Sequence, residues 1–95
     1  IYIPIILISM VLREARGFKK SSASELTKIC NEYININVNR PRIATNNMSR
    51  ELRKDNILEL PWLNYHENGR SPLFSLSEDW REYWERYFGK EAPNF

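Results

Sequence analysis

The sequence predicts one mainly α-helical domain with a small β-hairpin. Three observations lead there. Apolar residues recur at helical spacing in four separate stretches. Between the third and the fourth, the period changes to alternation on either side of Asn68-Gly69. Ninety-five residues supply one modest core, because a domain of this size buries only about 60–65% of its unfolded surface.

The first helix is expected from Pro4 in its opening turn, where a missing N–H costs nothing. Ile5, Ile6, Leu7, Ile8, Met10, Val11 and Leu12 follow, then Arg13 and Arg16, and Gly17 stops it. Apolar nearly all round, it belongs at the centre or against a partner. Ser22-Ala23-Ser24-Glu25 is a capping box, in which hydroxyl and carboxylate each satisfy a free backbone N–H. Leu26, Ile29, Cys30, Tyr33 and Ile34 carry that second helix over about 23–34. Asn35–Arg40 and Pro41 form a polar connection.

The third helix spans about 43–55. Ala44, Met48 and Leu52 lie on its inner line. Asn46, Arg50 and Arg53 fall on the opposite face, flanked by Arg42, Asn47 and Lys54. Asn56 suits its end, because Asn tolerates the left-handed conformation. Ile57–Tyr65 alternates Leu58, Leu60 and Trp62 with Glu59 and Pro61, a strand whose proline implies an edge or a bulge. Glu67-Asn68-Gly69-Arg70 is the turn, with the Asn-Gly signal of a two-residue hairpin loop, and Leu73–Ser77 is the returning strand. Ser77 should cap the last helix, with Glu78 and Asp79 in its first turn. Trp80, Tyr83, Trp84, Tyr87 and Phe88 line one face of that helix, and Gly89 ends it.

Composition narrows the chemistry. With 42% hydrophobic and 27% charged residues the chain is globular rather than disordered. One Cys and one His exclude an intramolecular disulfide and a zinc cluster of about four such ligands, so no metal or other cofactor is expected. A single Cys also fits a reducing compartment, with the cytoplasm or nucleoid the expected location. The apolar run Ile1–Leu12 falls short of the ~18–20 residues of a membrane span and lacks the flanks of a signal peptide. A start at Ile1 rather than Met suggests a single domain, 1–95, taken from a longer protein.

Charge is polarised along the chain. Residues 13–54 hold ten Lys/Arg against four Glu, whereas residues 55–95 hold four basic groups against eight acidic ones. Such a domain orients in the field of a polyanion, although solvated faces also vary in sign.

In its order of helix, helix, helix, hairpin, helix, the chain resembles winged helix-turn-helix DNA-binding domains. Ser22-Ala23-Ser24-Glu25-Leu26-Thr27-Lys28-Ile29, followed by Asn47-Met48-Ser49-Arg50-Glu51-Leu52-Arg53-Lys54-Asp55-Asn56-Ile57-Leu58-Glu59, is similar to that family's second helix, recognition helix and first wing strand. Gly69-Arg70-Ser71-Pro72-Leu73-Phe74-Ser75-Leu76-Ser77 is similar to a wing tip and its returning strand. These stretches cover roughly half the chain. The connection from Asn35 to Arg42 is longer than the family's tight turn, and Asn56 stands where Gly is frequent. The resemblance implies a three-helix core, a two-stranded wing and an extra C-terminal aromatic helix.

The expected partner is double-stranded DNA, bound without catalysis through helix 43–55 and the wing 66–72, as in transcription regulation. Outward Asn46, Asn47, Arg50 and Arg53 suit a major groove, where Asn pairs with adenine and Arg with guanine. Arg40, Arg42 and Lys54 would contact phosphates. Asn68 and Arg70 would reach the backbone or minor groove from the wing.

Other readings stand beside this one. The same face can be an ordinary solvated helix surface. The apolar helix Ile1–Leu12 and the Trp80/Tyr83/Trp84/Tyr87/Phe88 stripe can pack together, or bind a second copy or a neighbouring domain, which makes protein assembly the alternative function. Exposed Trp80 and Trp84 would instead favour single-stranded nucleic acid. Enzyme readings are weak: His66 sits beside a turn, Cys30 lies on an apolar face, and adjacent Glu78 and Asp79 diverge around their helix. Asn47-Met48-Ser49 matches a glycosylation acceptor, but nothing else suggests secretion.

Overall fold

A computed structural model describes residues 2–37 and 42–94, with backbone only at 35–37. Among these residues, five helices and three strands follow one another as α1 (Tyr2–Ala15), β1 (Ser21–Ser22), α2 (Ala23–Asn37), α3 (Thr45–Glu51), α4 (Asp55–Leu58), β2 (Leu63–His66), β3 (Leu73–Leu76) and α5 (Trp80–Phe88). The fold is mixed α and β, with an antiparallel sheet of order β1-β3-β2. The radius of gyration is 12.5 Å, close to the ~12 Å of one folded unit this long.

α1 is the central helix its composition requires. Ile6, Leu7, Met10 and Val11 are buried, and its main neighbour is α2 through Leu26, Cys30 and Ile34. Buried Ser9 donates its hydroxyl back to the Ile5 carbonyl at 2.8 Å, so it leaves no orphan polar group. The helix stops where expected. Gly17 takes φ +93°, and Phe18 N–H donates to the Arg13 carbonyl at 3.1 Å, closing the last turn.

The capping box of α2 forms as the spacing predicts. Glu25 N–H donates to Ser22 Oγ at 3.2 Å, and Ser22 N–H donates to Glu25 Oε1 at 2.9 Å. The same Ser22 pairs with Leu73 in the sheet, and Ser21 pairs with Phe74. The sheet thus has a third strand beyond the expected two. A two-residue strand leaves too short a pattern to detect in sequence.

The expected helix over 43–55 is divided. α3 ends at Glu51, a turn covers Leu52–Lys54, and a one-turn α4 holds Asp55–Leu58. Asn56 lies inside α4 rather than ending a helix; the α3 C-cap is Leu52, in right-handed conformation. Ala44 is exposed, and half-buried Ile43 packs on the core in its place. The strand expected from Ile57 begins only at Leu63. Ile57 and Leu58 both donate to the Lys54 carbonyl at 3.0 Å, and Pro61, with no N–H for a ladder, occupies a turn. Consecutive burial of Trp62 and Leu63 breaks the apparent alternation there.

β2 and β3 pair from Leu63↔Leu76 to His66↔Leu73, which leaves a six-residue loop, 67–72, rather than a two-residue turn. Within it Gly69 has φ +57°, and Ser71 N–H donates to the Asn68 carbonyl at 3.1 Å. Ser77 does not cap α5. Its amide donates to the Trp62 carbonyl at 2.8 Å, its hydroxyl is buried without a hydrogen-bond partner, and the N-cap is Asp79. Glu78 and Asp79 therefore precede the helix instead of occupying its first turn. In the aromatic stripe Trp80 is buried, Tyr83, Trp84 and Phe88 are half-buried, and Tyr87 is exposed. No helix among the described residues is long and apolar enough to cross a membrane.

Candidate functional site

Met48 and Leu52, both buried, decide which way α3 faces. At 100° per residue their mean direction lies about 170° from that of Asn46, Asn47, Arg50 and Arg53. All four of those residues are exposed. Arg53 itself follows α3, in the turn, where Leu52 still has helical φ and ψ. Arg42 is exposed ahead of α3, next to Ile43, which Asn31 of α2 anchors. Asn68 and Arg70 are exposed on the hairpin loop. Lys54 is exposed but pairs with Glu51 at 2.6 Å. Arg40 lies outside the described residues.

The arginines divide into two groups. Arg13 and Arg16 pair with Glu25 and Glu32 at 2.9 and 3.1 Å, Arg86 with Glu82 at 2.6 Å, and Arg81 donates to the Pro93 carbonyl at 2.6 Å. Arg42, Arg50, Arg53 and Arg70 have no hydrogen-bond or ion-pair partner among the described residues. Among the described residues, the arginines without a partner sit on α3, its flanks or the hairpin loop.

Arg53 and Arg70, seventeen positions apart, meet at one cleft of about 250 Å³ between the start of α2, α3 and the loop. Leu52 and Phe74 contribute apolar surface; Ser22, Ser24, Thr45, Ser49 and Ser71 contribute hydroxyls. The pattern of the sequence does not reveal these hydroxyls. Ser22 is accounted for by the cap, Ser24 lies between the two capping residues, and Thr45 and Ser49 lie on the side of α3 between its two obvious faces. Ser22, Ser24, Ser49 and Ser71 stand within the stretches that carry the resemblance, but spacing singles out none of them as a contact.

Elsewhere, His66 Nε2 lies 2.7 Å from Ser75 Oγ, a contact across the hairpin, and neither residue lines the cleft. Cys30 is buried in the core, and burial pushes its thiol pKa up. Among the described residues no group of His, Cys, Asp and Glu could hold a metal ion. Ile8 and Leu12 of α1, Tyr33 of α2, and Trp84 and Phe88 of α5 line a second, more apolar groove. Residues of the first and last helices thus line one groove. Buried Trp80 and half-buried Trp84 do not form the exposed platform that single-strand stacking needs. No family model, curated protein or solved structure matches the chain.

Proposed function

We propose that this chain is a non-catalytic winged-helix module that binds duplex DNA through α3 and the hairpin loop. One observation carries the reading. Four arginines that have no partner among the described residues lie on α3, beside it and on the loop. A guanidinium unpaired among the described residues, where Arg13, Arg16, Arg81 and Arg86 are engaged, is free for phosphate or a guanine edge. The strand order β1-β3-β2 behind three helices is compatible with a winged helix. In this reading Asn46, Asn47 and Arg50 face base edges, with Arg53 at the end of that face. Arg42, Lys54, Asn68 and Arg70 contact the backbone on either side.

The test is a mobility-shift titration on a mixed-sequence duplex at two salt concentrations. Arg50→Ala plus Arg53→Ala should weaken binding at least tenfold at low salt and flatten its salt dependence. Unchanged affinity would remove this face from the function.

An assembly role has one observation in its favour, the apolar groove shared by α1, Tyr33 and α5. Sedimentation equilibrium decides between the two. A stable dimer with no salt-sensitive DNA affinity would make assembly the function.

A further inference from the structure

Two clefts among the described residues have arginine walls, and they differ in one respect. In the first, between α1 and α2, Arg13 and Arg16 are joined by Glu25 and Glu32, so the cations are neutralised internally. In the second, the described lining holds Arg53 and Arg70 and no carboxylate. The acids of the α2 cap and of α3 are engaged elsewhere. Glu25 turns its carboxylate to Arg13 and the Ser22 amide, and Glu51 binds Lys54. Two uncompensated guanidiniums facing one concavity repel each other, and water alone weakens that repulsion. A phosphate anion between them would relieve it and gain charge-assisted hydrogen bonds from both forks. The hydroxyls of Ser49 and Ser71 supply further donors of the kind a phosphate oxygen accepts.

We infer that the Arg53–Arg70 cleft is a receptor for one phosphate group. The chemistry of the ligand follows from the cleft itself; its source, a backbone phosphodiester, rests on the DNA-binding reading. A phosphate seated there bridges α3 and the loop 67–72. It holds together two elements that are linked through the cleft by no ion pair among the described residues.

The test uses inorganic phosphate as probe, titrated into the isotopically labelled chain and followed by amide chemical shifts, with chloride at matched ionic strength as control. The expected result is a saturable shift of the Ser49, Arg53, Arg70 and Ser71 amides that exceeds the chloride response. Arg53→Ala plus Arg70→Ala should abolish it, with unchanged dispersion elsewhere showing that the variant is folded. Arg50→Ala, outside the cleft, should keep the phosphate response while weakening duplex binding. On duplex DNA, the double variant should lower the slope of log affinity against log salt by about one phosphate's worth, ~0.9. A phosphate response no larger than that of chloride, or one that survives in the double variant, overturns the inference. If duplex binds and Arg50→Ala weakens it, yet phosphate gives no response, the receptor is wrong and the DNA reading survives. If phosphate binds and duplex does not, the receptor stands with a free phosphate or small phosphate ester as its ligand, and the DNA reading falls.

Discussion

The side-chain amide of Asn31 makes both hydrogen bonds that a neighbouring strand would make to Ile43. Ile43 N–H donates to Asn31 Oδ1 at 2.8 Å, and Asn31 Nδ2 donates to the Ile43 carbonyl at 2.9 Å. Asn31 is buried on α2, and Ile43 stands two residues before α3. This pair sets where the chain rejoins the core, and with it the position of Arg42. Asn31→Ala removes both bonds and leaves two backbone groups without their partner. It should cost about 2 kcal/mol and lower the thermal midpoint by roughly 10 °C, as read by circular dichroism.

Glu51 is the only acid within α3, and it neutralises Lys54. In Glu51→Gln the lysine becomes available and the proposed binding face gains one positive charge. Duplex affinity at low salt should rise about three- to tenfold, with a steeper salt dependence. A mobility shift that does not move in this variant would place Lys54 away from the bound DNA.

The capping box makes stability depend on pH. The Ser22 N–H held by its carboxylate, assisted by the Ser22 hydroxyl and by Arg13, lowers the pKa of Glu25, and partial burial opposes this. A folded-state pKa below the unfolded value means that the stabilisation is complete above the unfolded pKa. It is lost as pH falls through the folded one. Glu25→Gln should therefore be less stable than the parent at pH 7, and the gap should close as both are acidified through the carboxylate range. Urea midpoints measured between pH 7 and about pH 3 check the convergence. Ser22→Ala, by contrast, should cost about 1 kcal/mol at pH 7 through the lost cap.

Fully buried Trp62 donates its indole N–H to the Tyr87 hydroxyl at 2.9 Å, and the two rings meet edge to face with centroids 6.4 Å apart. Tyr87→Phe keeps the ring contact and removes only the acceptor. A loss of about 1 kcal/mol with an unchanged denaturant slope is expected. No change at all would mean that solvent takes over the indole, which the exposure of Tyr87 at 38% makes the competing outcome.

Signals that act over one or two turns were legible in the sequence. The all-apolar α1, the Ser22/Glu25 box, the stop at Gly17 and the outward set of Asn46, Asn47 and Arg50 all follow from local spacing. The misreadings arise where tertiary contacts outvote local pattern. Leu58, Leu60 and Trp62 alternate as a strand would, yet burial of Ile57 and the imide of Pro61 select a helical turn and a bend. Asn68-Gly69 marks the bend of the hairpin without setting its length, because pairing stops at His66↔Leu73. Ser77 looks like a cap in one dimension, but its amide is drawn to Trp62. The meeting of Arg53 with Arg70 is a product of the whole fold. No window of sequence contains it.

Ser22 belongs to two structures at once: it pairs with Leu73 at the sheet's short outer strand, and it caps α2. Peeling the hairpin off that strand therefore disturbs the first turn of a helix, and uncapping the helix loosens the hairpin. Hydrogen exchange at these two places should share a single opening event, with Leu73 and Glu25 amides protected to the same degree. A ligand that grips only the loop would then slow exchange in α2 as well, by mechanical linkage through one serine.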